Sequence, residues 1–385
     1  MTSRPPPGWA IERVGALASF ASGEGISVGA LQPRSPSYPV PVYGGNGIAG
    51  YTSVSRIETP TVVIGRVGQR CGEVHFTNGP AWITDNALFP KRLKRPLNPH
   101  FLALALSAAG LNDVKNRNDL PLVTQSILHA VEILWPSDIR EQSAIASAVS
   151  DVDSLLGALD RLIDKKRDLK QAVMQQLLTG QTRLPGFRGK STVTTLRAVG
   201  RWFSGGTPAM ANPAFWLGDI PWVSPKDMKV SRIHDAIDHV SSAAIGNGTR
   251  LLPAGAVLVV VRGMILAHSA PVARAERPVA FNQDIKGLVV NPDVDSNFIL
   301  WWLVAHESVL LATTTESTHG TKRLPTDELF KLTLSLPSLD EQAAIAAVLT
   351  DMDSEIAALE ARREKTRLLK QGMMQELLTG RTRLV

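Results

Sequence analysis

Hydrophobic positions change their period along this chain. From 141 to 184 and again from 341 to 384 they recur at helical spacing, whereas elsewhere they come as short Val/Ile runs between Gly and Pro turns. In the first helical stretch Ile145, Val149, Val152, Leu156, Leu159 and Ile163 follow a 4-3-4-3-4 spacing, answered by Ile345, Leu349, Met352, Ile356 and Leu359. Apolar residues at a mean spacing of 3.5 form a coiled-coil seam. The seam weakens where Arg363 stands in the place of Ile163, and it is expected to resume at Leu169, Val173 and Leu177 and at Leu369, Met373 and Leu377. Pro136-Ser137 and Pro337-Ser338 precede the two stretches. Asp138 or Asp340 and then Glu141 or Glu341 follow, carboxylates that suit the positive end of a helix. Thr179-Gly180 and Thr379-Gly380 end them, with Gly where a helix reverses into left-handed backbone. About 40 residues at 1.5 Å each predict a rod of roughly 60 Å.

The two stretches are copies of each other. Residues 141–184 align without gaps on 341–384, with 24 of 44 positions identical at an offset of 200, so the gene contains a duplication. Two such rods in one chain most simply pack on each other. Leu155, Leu162 and Leu169 make a second stripe, seven apart, on the first rod, and Glu355 and Arg362 replace its first two members on the second. A two-helix coil would leave that stripe in water, so it contacts either a flanking domain or helices of another protein, giving a four-helix bundle. The segments between the rods are related more distantly. Leu17-Ala-Ser-Phe-Ala-Ser-Gly resembles Val199-Gly-Arg-Trp-Phe-Ser-Gly, Val63-Ile-Gly-Arg66 resembles Val260-Val-Arg262-Gly, and Thr84-Asp-Asn86 resembles Phe281-Asn282-Gln-Asp. Runs such as Thr61 to Ile64 and Ala256 to Val261 predict mainly strands with a few short helices. The plan is globe (1–137), rod (138–183), globe (184–337), rod (338–385).

Composition and charge sharpen this. The 385 residues are 44% hydrophobic and 20% charged, enough for packed cores and without a disorder signature. A single cysteine, Cys71, excludes an intramolecular disulfide and a Cys-rich zinc site, and fits a reducing cytoplasm. The longest apolar run, Phe298 to Ala305, is far short of the ~18 residues a membrane helix needs. Met1-Thr-Ser-Arg-Pro-Pro-Pro shows no apolar signal-peptide core, so membrane and secretory roles are not expected. The net charge of +6 sits in the globes, +4 in 1–137 and +3 in 184–337, while the rods are close to neutral. That surplus favours an anionic partner such as nucleic acid.

Enzyme motifs are weak by comparison. Asn212-Pro-Ala-Phe215 resembles the turn with which adenine amino-methyltransferases hold their target amine, but Ala replaces the second Pro and no Gly-rich cofactor loop precedes it. Gly44-Gly-Asn-Gly47 reads as a turn. Gly189-Lys190-Ser191 ends like a phosphate-binding loop, yet Leu184 stands where the first Gly belongs, which makes it a solvated linker. His75, His100, His129, His234, His239, His268, His306 and His319 show no metal-ligand spacing. Asp151-x-Asp153 and Asp351-x-Asp353 lie on the rods, as solvated charges or polar seam contacts.

Pro41-Val-Tyr-Gly-Gly-Asn-Gly-Ile-Ala-Gly-Tyr51, Gly205-Gly-Thr-Pro208 with Gly218-Asp-Ile-Pro-Trp-Val-Ser224, and the twofold Glu-Gln-x-Ala-Ile-Ala…Leu-Leu-Thr-Gly rods resemble the DNA specificity subunit of type I restriction-modification systems. The resemblance runs in order through essentially the whole chain. It implies an α+β fold with two strand-rich target-recognition domains, each reading half of a split DNA site, on two long antiparallel coiled-coil helices with pseudo-twofold, circular symmetry. It also implies a chain without catalysis or cofactor of its own. Two modification subunits would carry S-adenosylmethionine, and restriction subunits would carry ATP and Mg. The entry Pro7-Gly8-Trp9 then reads as the continuation of Arg383-Leu384-Val385, so the first globe is expected beside residue 385.

For DNA contact the candidates are the Lys and Arg beside turns: Arg66, Arg70, Lys91, Arg92, Lys94 and Arg95 in the first globe, and Lys226, Arg232, Arg262, Lys322 and Arg323 in the second. Arg suits guanine through paired bonds, and Lys suits phosphate. Leu155, Leu162 and Leu169 are the candidates for docking a partner. Two other classes stay open, a coiled-coil scaffold without DNA affinity and a fused methyltransferase or nuclease. A salt-dependent gel shift separates the first from a DNA reader, and S-adenosylmethionine binding by the isolated chain identifies the second.

Overall fold

The computed structural model describes residues 5–111, 121–316 and 320–385. Thr318 and His319 lie outside the described residues. The chain forms two compact units, Met1–Asp160 with Ala361–Val385, and Arg161–Glu360. Each unit therefore holds one globe and parts of both rods, which are continuous helices, Ile139–Leu178 and Leu339–Leu377. Gly180 and Gly380 end them at φ values of 72° and 67°, the left-handed turn expected of them.

In the first unit a four-stranded sheet has the order Ala18–Ser22, Ala87–Leu93, Val62–Gly65, Val74–Phe76. A three-stranded sheet has Val40–Gly44 at its centre, paired antiparallel to Gly47–Thr52 and parallel to Trp82–Ile83. In the second unit a five-stranded sheet runs Gly200–Ser204, Ile285–Val290, Val257–Val260, Val272–Ala275, Arg232–Ile233. Beside it Ile220–Val223 pairs antiparallel to Asp238–Val240 and parallel to Val279–Phe281. The two globes thus share one strand order and one parallel pairing. A helix buried along most of its length completes each core, Pro99–Ala108 capped by Asn98 and Ser296–Ala305 capped by Asp295. The apolar run Phe298 to Ala305 is this core helix, and no helix among the described residues is long and apolar enough to cross a membrane.

Strand pairing corrects one sequence equivalence. Ser22 lies opposite Leu88 and Ser204 opposite Lys286, so Leu88 and Lys286 correspond. Ile64 pairs with Leu88 and Val259 with Lys286, which matches Ile64 to Val259 rather than to Val261, and Arg66 to Val261 rather than to Gly263. Both runs are short and Val-rich, so a two-residue offset was invisible without the partner strand.

Each unit pairs its helical segments antiparallel. In the first, Asp153 meets Lys370 at 2.5 Å and Asp160 meets Arg363 at 3.2 Å. In the second, Lys166 meets Glu355 at 2.8 Å, and Lys170 and Arg167 bond Asp353 and Glu360. Leu169 and Leu369 are not in the seam as expected, for they are 49% and 60% exposed. After Ile163 the 3-4 spacing runs on through Lys166 and Lys170, and on the other helix through Thr366 and Lys370. The carboxylates of Asp353 and Asp153 satisfy the two lysines there, so Asp153 and Asp353 are polar seam contacts.

The start of each rod is also different from a simple dipole arrangement. Asp138 does cap its helix, accepting from the Arg140 amide at 2.8 Å. Glu141 and Glu341, however, are each only 1% exposed and grip a guanidinium from the far end of the other helix. Arg383 forks onto Glu141 and Arg183 onto Glu341. Arg383 also donates to the Pro7 carbonyl at 2.8 Å, which places the second rod's end against the first globe's entry as expected. Beside each Glu a buried Gln ties rod to globe. Gln142 accepts from the Asn98 amide at 2.8 Å and donates to the carbonyls of Pro136 and Pro96; Gln342 accepts from the Asp295 amide at 3.0 Å and donates to those of Pro337 and Asp293.

Gln342→Ala strands a buried amide and two carbonyls, groups costly to leave unpaired at about 1–3 kcal/mol. Denaturant unfolding should show a loss of that size for Gln342→Ala and for Gln142→Ala, and far less for the exposed neighbour change Ala343→Ser.

Candidate nucleic-acid interface

The edge strand Gly200–Ser204 organises the basic surface of the second globe. Side chains alternate across a strand, so Arg201 and Phe203 share one face and Trp202 and Ser204 the other. On the first face the guanidinium of Arg201 lies 5.8 Å from the Phe203 ring centre and that of Arg250 lies 5.3 Å from it. On the second, Lys286 donates to Ser204 Oγ at 2.5 Å. Burial and then the nearby Arg323 push the Lys286 pKa down. An open cleft of about 340 Å³ adjoins this edge, lined among others by Arg197, Phe203, Ser204, Lys286 and Phe330. Arg197 sits 5.3 Å from the Phe330 ring centre.

Of the residues anticipated from sequence, Arg262 and Arg323 join this cluster. They are brought together by a backbone bridge, with the Gly263 amide donating to Lys322 and the Leu324 amide to Val261. None of Arg197, Arg201, Arg250, Arg262, Lys286 and Arg323 forms an ion pair with a carboxylate among the described residues. Lys322 is paired with Glu316 at 2.9 Å, and Lys226 is exposed. Arg232 is taken up internally: it bonds Glu276 at 2.6 Å, Asn297 at 3.1 Å and Thr350 at 3.3 Å, beside Arg274 on the same carboxylate. A turn neighbour was the wrong cue for it, since a two-residue strand carries it into the sheet.

In the first globe Lys91 and Arg92 lie on the exposed end of strand Ala87–Leu93, followed by Lys94 and Arg95. Lys94 donates to the Gly15 carbonyl at 2.5 Å. Arg70 pairs with Glu73 at 2.7 Å. Arg66 donates to Ser22 Oγ at 3.1 Å and to the Asp85 carbonyl at 3.4 Å. Arg66, just past strand Val62–Gly65, thus holds Ser22 as Lys286, within strand Ile285–Val290, holds Ser204. Sequence reading missed Arg197, Arg201, Arg250 and Lys286. Alternation in Arg201-Trp-Phe203 was available as a cue, but the approach of Arg250 to Phe203 depends on tertiary packing.

The motifs set aside from sequence have local roles. Asn212 Oδ1 accepts from the Ala214 amide at 3.2 Å and caps a short turn. Gly47, at φ 94°, closes the hairpin between Val40–Gly44 and Gly47–Thr52. No group of three His, Cys, Asp or Glu among the described residues could hold a metal. Leu155 on the first unit, and Leu162 and Leu169 on the second, are 41%, 39% and 49% exposed.

These features define a two-globe protein with a basic surface suited to a polyphosphate backbone. Residues 194–369 match the family described as the type I restriction modification DNA specificity domain. The specificity subunit of the Escherichia coli type I restriction enzyme EcoR124I/EcoR124II is 26% identical over 215 residues, 55% of this chain and 52% of that one. The chain therefore matches about half the length of that relative. The MjaVIII specificity subunit of Methanocaldococcus jannaschii is 21% identical over 99% of this chain and 94% of its own. Among solved structures the type I restriction-modification S subunit from M. genitalium has the same fold, with a TM-score of 0.68 at 16% identity over 96% of each chain. The chain is thus similar to type I restriction-modification specificity subunits in part of its sequence and in its fold.

Burial alone would raise the Glu276 carboxyl, but its bonds from Arg274 and Arg232 outweigh that and hold it below the usual range. A depressed folded pKa stabilises above the unfolded value and the gain is lost as pH falls. Stability should therefore drop on acidification through and below the ordinary glutamate range. Arg232→Ala should lower stability at neutral pH and make that drop shallower in thermal melts taken across pH.

Proposed function

We propose that the chain is the sequence-specific DNA-binding subunit of a type I restriction-modification complex. It reads a bipartite target, one half-site per globe, with a spacer of free sequence and fixed length, and it carries no catalytic step. The observation that supports this best is the pairing of one shared strand order with divergent surfaces: Arg201 and Phe203 in the second globe stand where the first has Ser19 and Ala21. A common frame with different exposed side chains is what two readers of different sequences need. Unpaired cations supply the phosphate attraction that positions each reader, and contacts to base edges supply specificity.

The remaining assignments belong to the same proposal. Lys91, Arg92, Lys94, Arg95 and Arg70 serve phosphate contact in the first globe, with Arg66 beside them; Lys226, Arg262, Lys322 and Arg323 serve the second. Arg232 is better suited to holding the globe together. The globes are 1–137 and 184–337, and the spacers 138–183 and 338–385. Methylation belongs to two modification subunits that bind S-adenosylmethionine, and cleavage to restriction subunits that use ATP and Mg, all in the cytoplasm. Exposed leucines on a helix that already has a seam partner suit docking of the modification subunits.

Exchanging residues 185–336 for another reader should change one half-site and keep the spacer, while lengthening both rods equally should shift the spacer and keep the bases. Methylome maps of both chains check this; a rod insertion that alters base identity defeats the division of labour. Leu155→Glu together with Leu162→Glu should cut co-purification of the modification subunits at least tenfold while leaving the helical content by circular dichroism unchanged. Full retention of those subunits would remove the leucines from the docking face.

A further inference from the structure

Comparison of the two globes separates what the edge strand keeps from what it varies. Both strands end in Ser-Gly, Ser22-Gly23 and Ser204-Gly205. At both glycines a Cβ would run into backbone, the Ile83 carbonyl at 1.9 Å and the Asn282 carbonyl at 2.2 Å, so the strand passes the neighbouring sheet at contact distance. Both serines accept from a cation, Arg66 or Lys286, although these come from non-equivalent positions. The two globes have therefore reached the same Ser-cation pair by different residues, on a strand whose position is fixed by backbone contact. Ser19 against Arg201 differs in charge, and Ala21 against Phe203 replaces a methyl group with a ring.

The edge is also charged on both of its faces. Arg201 and Arg250 flank Phe203 on one, and Lys286, with Arg323 near it, lies on the other. An element lying flat on one phosphate strand needs positive charge on one side. An element sunk in a groove of the duplex has a phosphate strand along each side and base edges at its tip, and needs charge on both.

Resting on the DNA-reading function above, we propose that the edge strand Gly200–Ser204 is the element of the second globe that enters a groove of the target. Lys286, anchored on Ser204, holds phosphate, as Arg66 on Ser22 does in the first globe. Arg201 and Arg250 specify the second half-site, with the Phe203 ring restraining both guanidiniums.

The test uses the full chain in its complex with the modification subunits and duplexes carrying both half-sites, or either one scrambled. Arg201→Ala and Arg250→Ala should each reduce discrimination against a scrambled second half-site about tenfold, within the range of one lost base contact, and leave discrimination at the first unchanged. Lys286→Ala should weaken binding to all duplexes alike and lower the salt slope by about 0.9, one phosphate contact. Lys331→Ala, whose charge is already paired with Glu328, should alter neither. If the unaltered complex shows no half-site discrimination, the DNA-reading function itself fails. If it discriminates and Arg201→Ala and Arg250→Ala do too, or if Lys331→Ala matches Lys286→Ala, the edge-strand assignment is overturned.

Discussion

A carboxylate with almost no access to water, gripped by a guanidinium from the far end of the other helix, is the contact on which each half of this protein depends. Glu141 with Arg383 and Glu341 with Arg183 close the two rods on each other where they leave a globe. An unpaired buried charge is far more costly than a paired one, so this contact allows one antiparallel register and penalises the rest. The adjoining Gln142 and Gln342 fix the globe to that register through main-chain bonds alone. Because these bonds go to backbone atoms, the globe's own side chains are left free to differ.

That freedom is visible at the surface. Strand order, parallel pairing and the Ser-Gly close approach are common to both globes, whereas Ser19 and Ala21 of one edge strand give way to Arg201 and Phe203 in the other. The frame is set by backbone geometry and buried apolar residues, and Arg197, Arg201, Arg250, Arg262, Lys286 and Arg323 stand on it without a carboxylate partner among the described residues. Where a cation is paired inside, as Arg232 is with Glu276, it contributes to the frame instead.

The helical repeat was legible because it is long, periodic and present twice, so seam, start and stop signals could be read against each other. Even there the seam past Ile163 was misread, since Lys166 and Lys170 hide a continuing heptad behind polar side chains whose partners lie on another helix. The globes were legible as strand-rich but not in register, because a short Val run has no internal mark of which residue faces its neighbour. Of the candidate cations chosen by their nearness to turns, Arg262 and Arg323 are brought together by a backbone bridge. The same cue gave no sign of Arg250 or Lys286, which reach the basic surface through pairing between segments distant in sequence.

The similarity of the two rods has a consequence for self-recognition. Lys170 bonds Asp353 and Lys370 bonds Asp153, but Asp153 and Asp353 are equivalent, so a first rod meeting the first rod of another molecule would satisfy Lys170 equally well. The buried pairs are no more discriminating, since Glu141 could take Arg183 as readily as Arg383. Among the ion pairs of the described residues, Lys166 with Glu355 and Arg363 with Asp160 tell one rod from the other, because the repeat counterparts of Glu355 and Arg363 are Leu155 and Ile163. Partly exposed pairs of this kind are each worth little. Fidelity between molecules therefore rests mainly on the high effective concentration of two rods tethered in one chain, and a rod freed from its tether would have little means of refusing a stranger's.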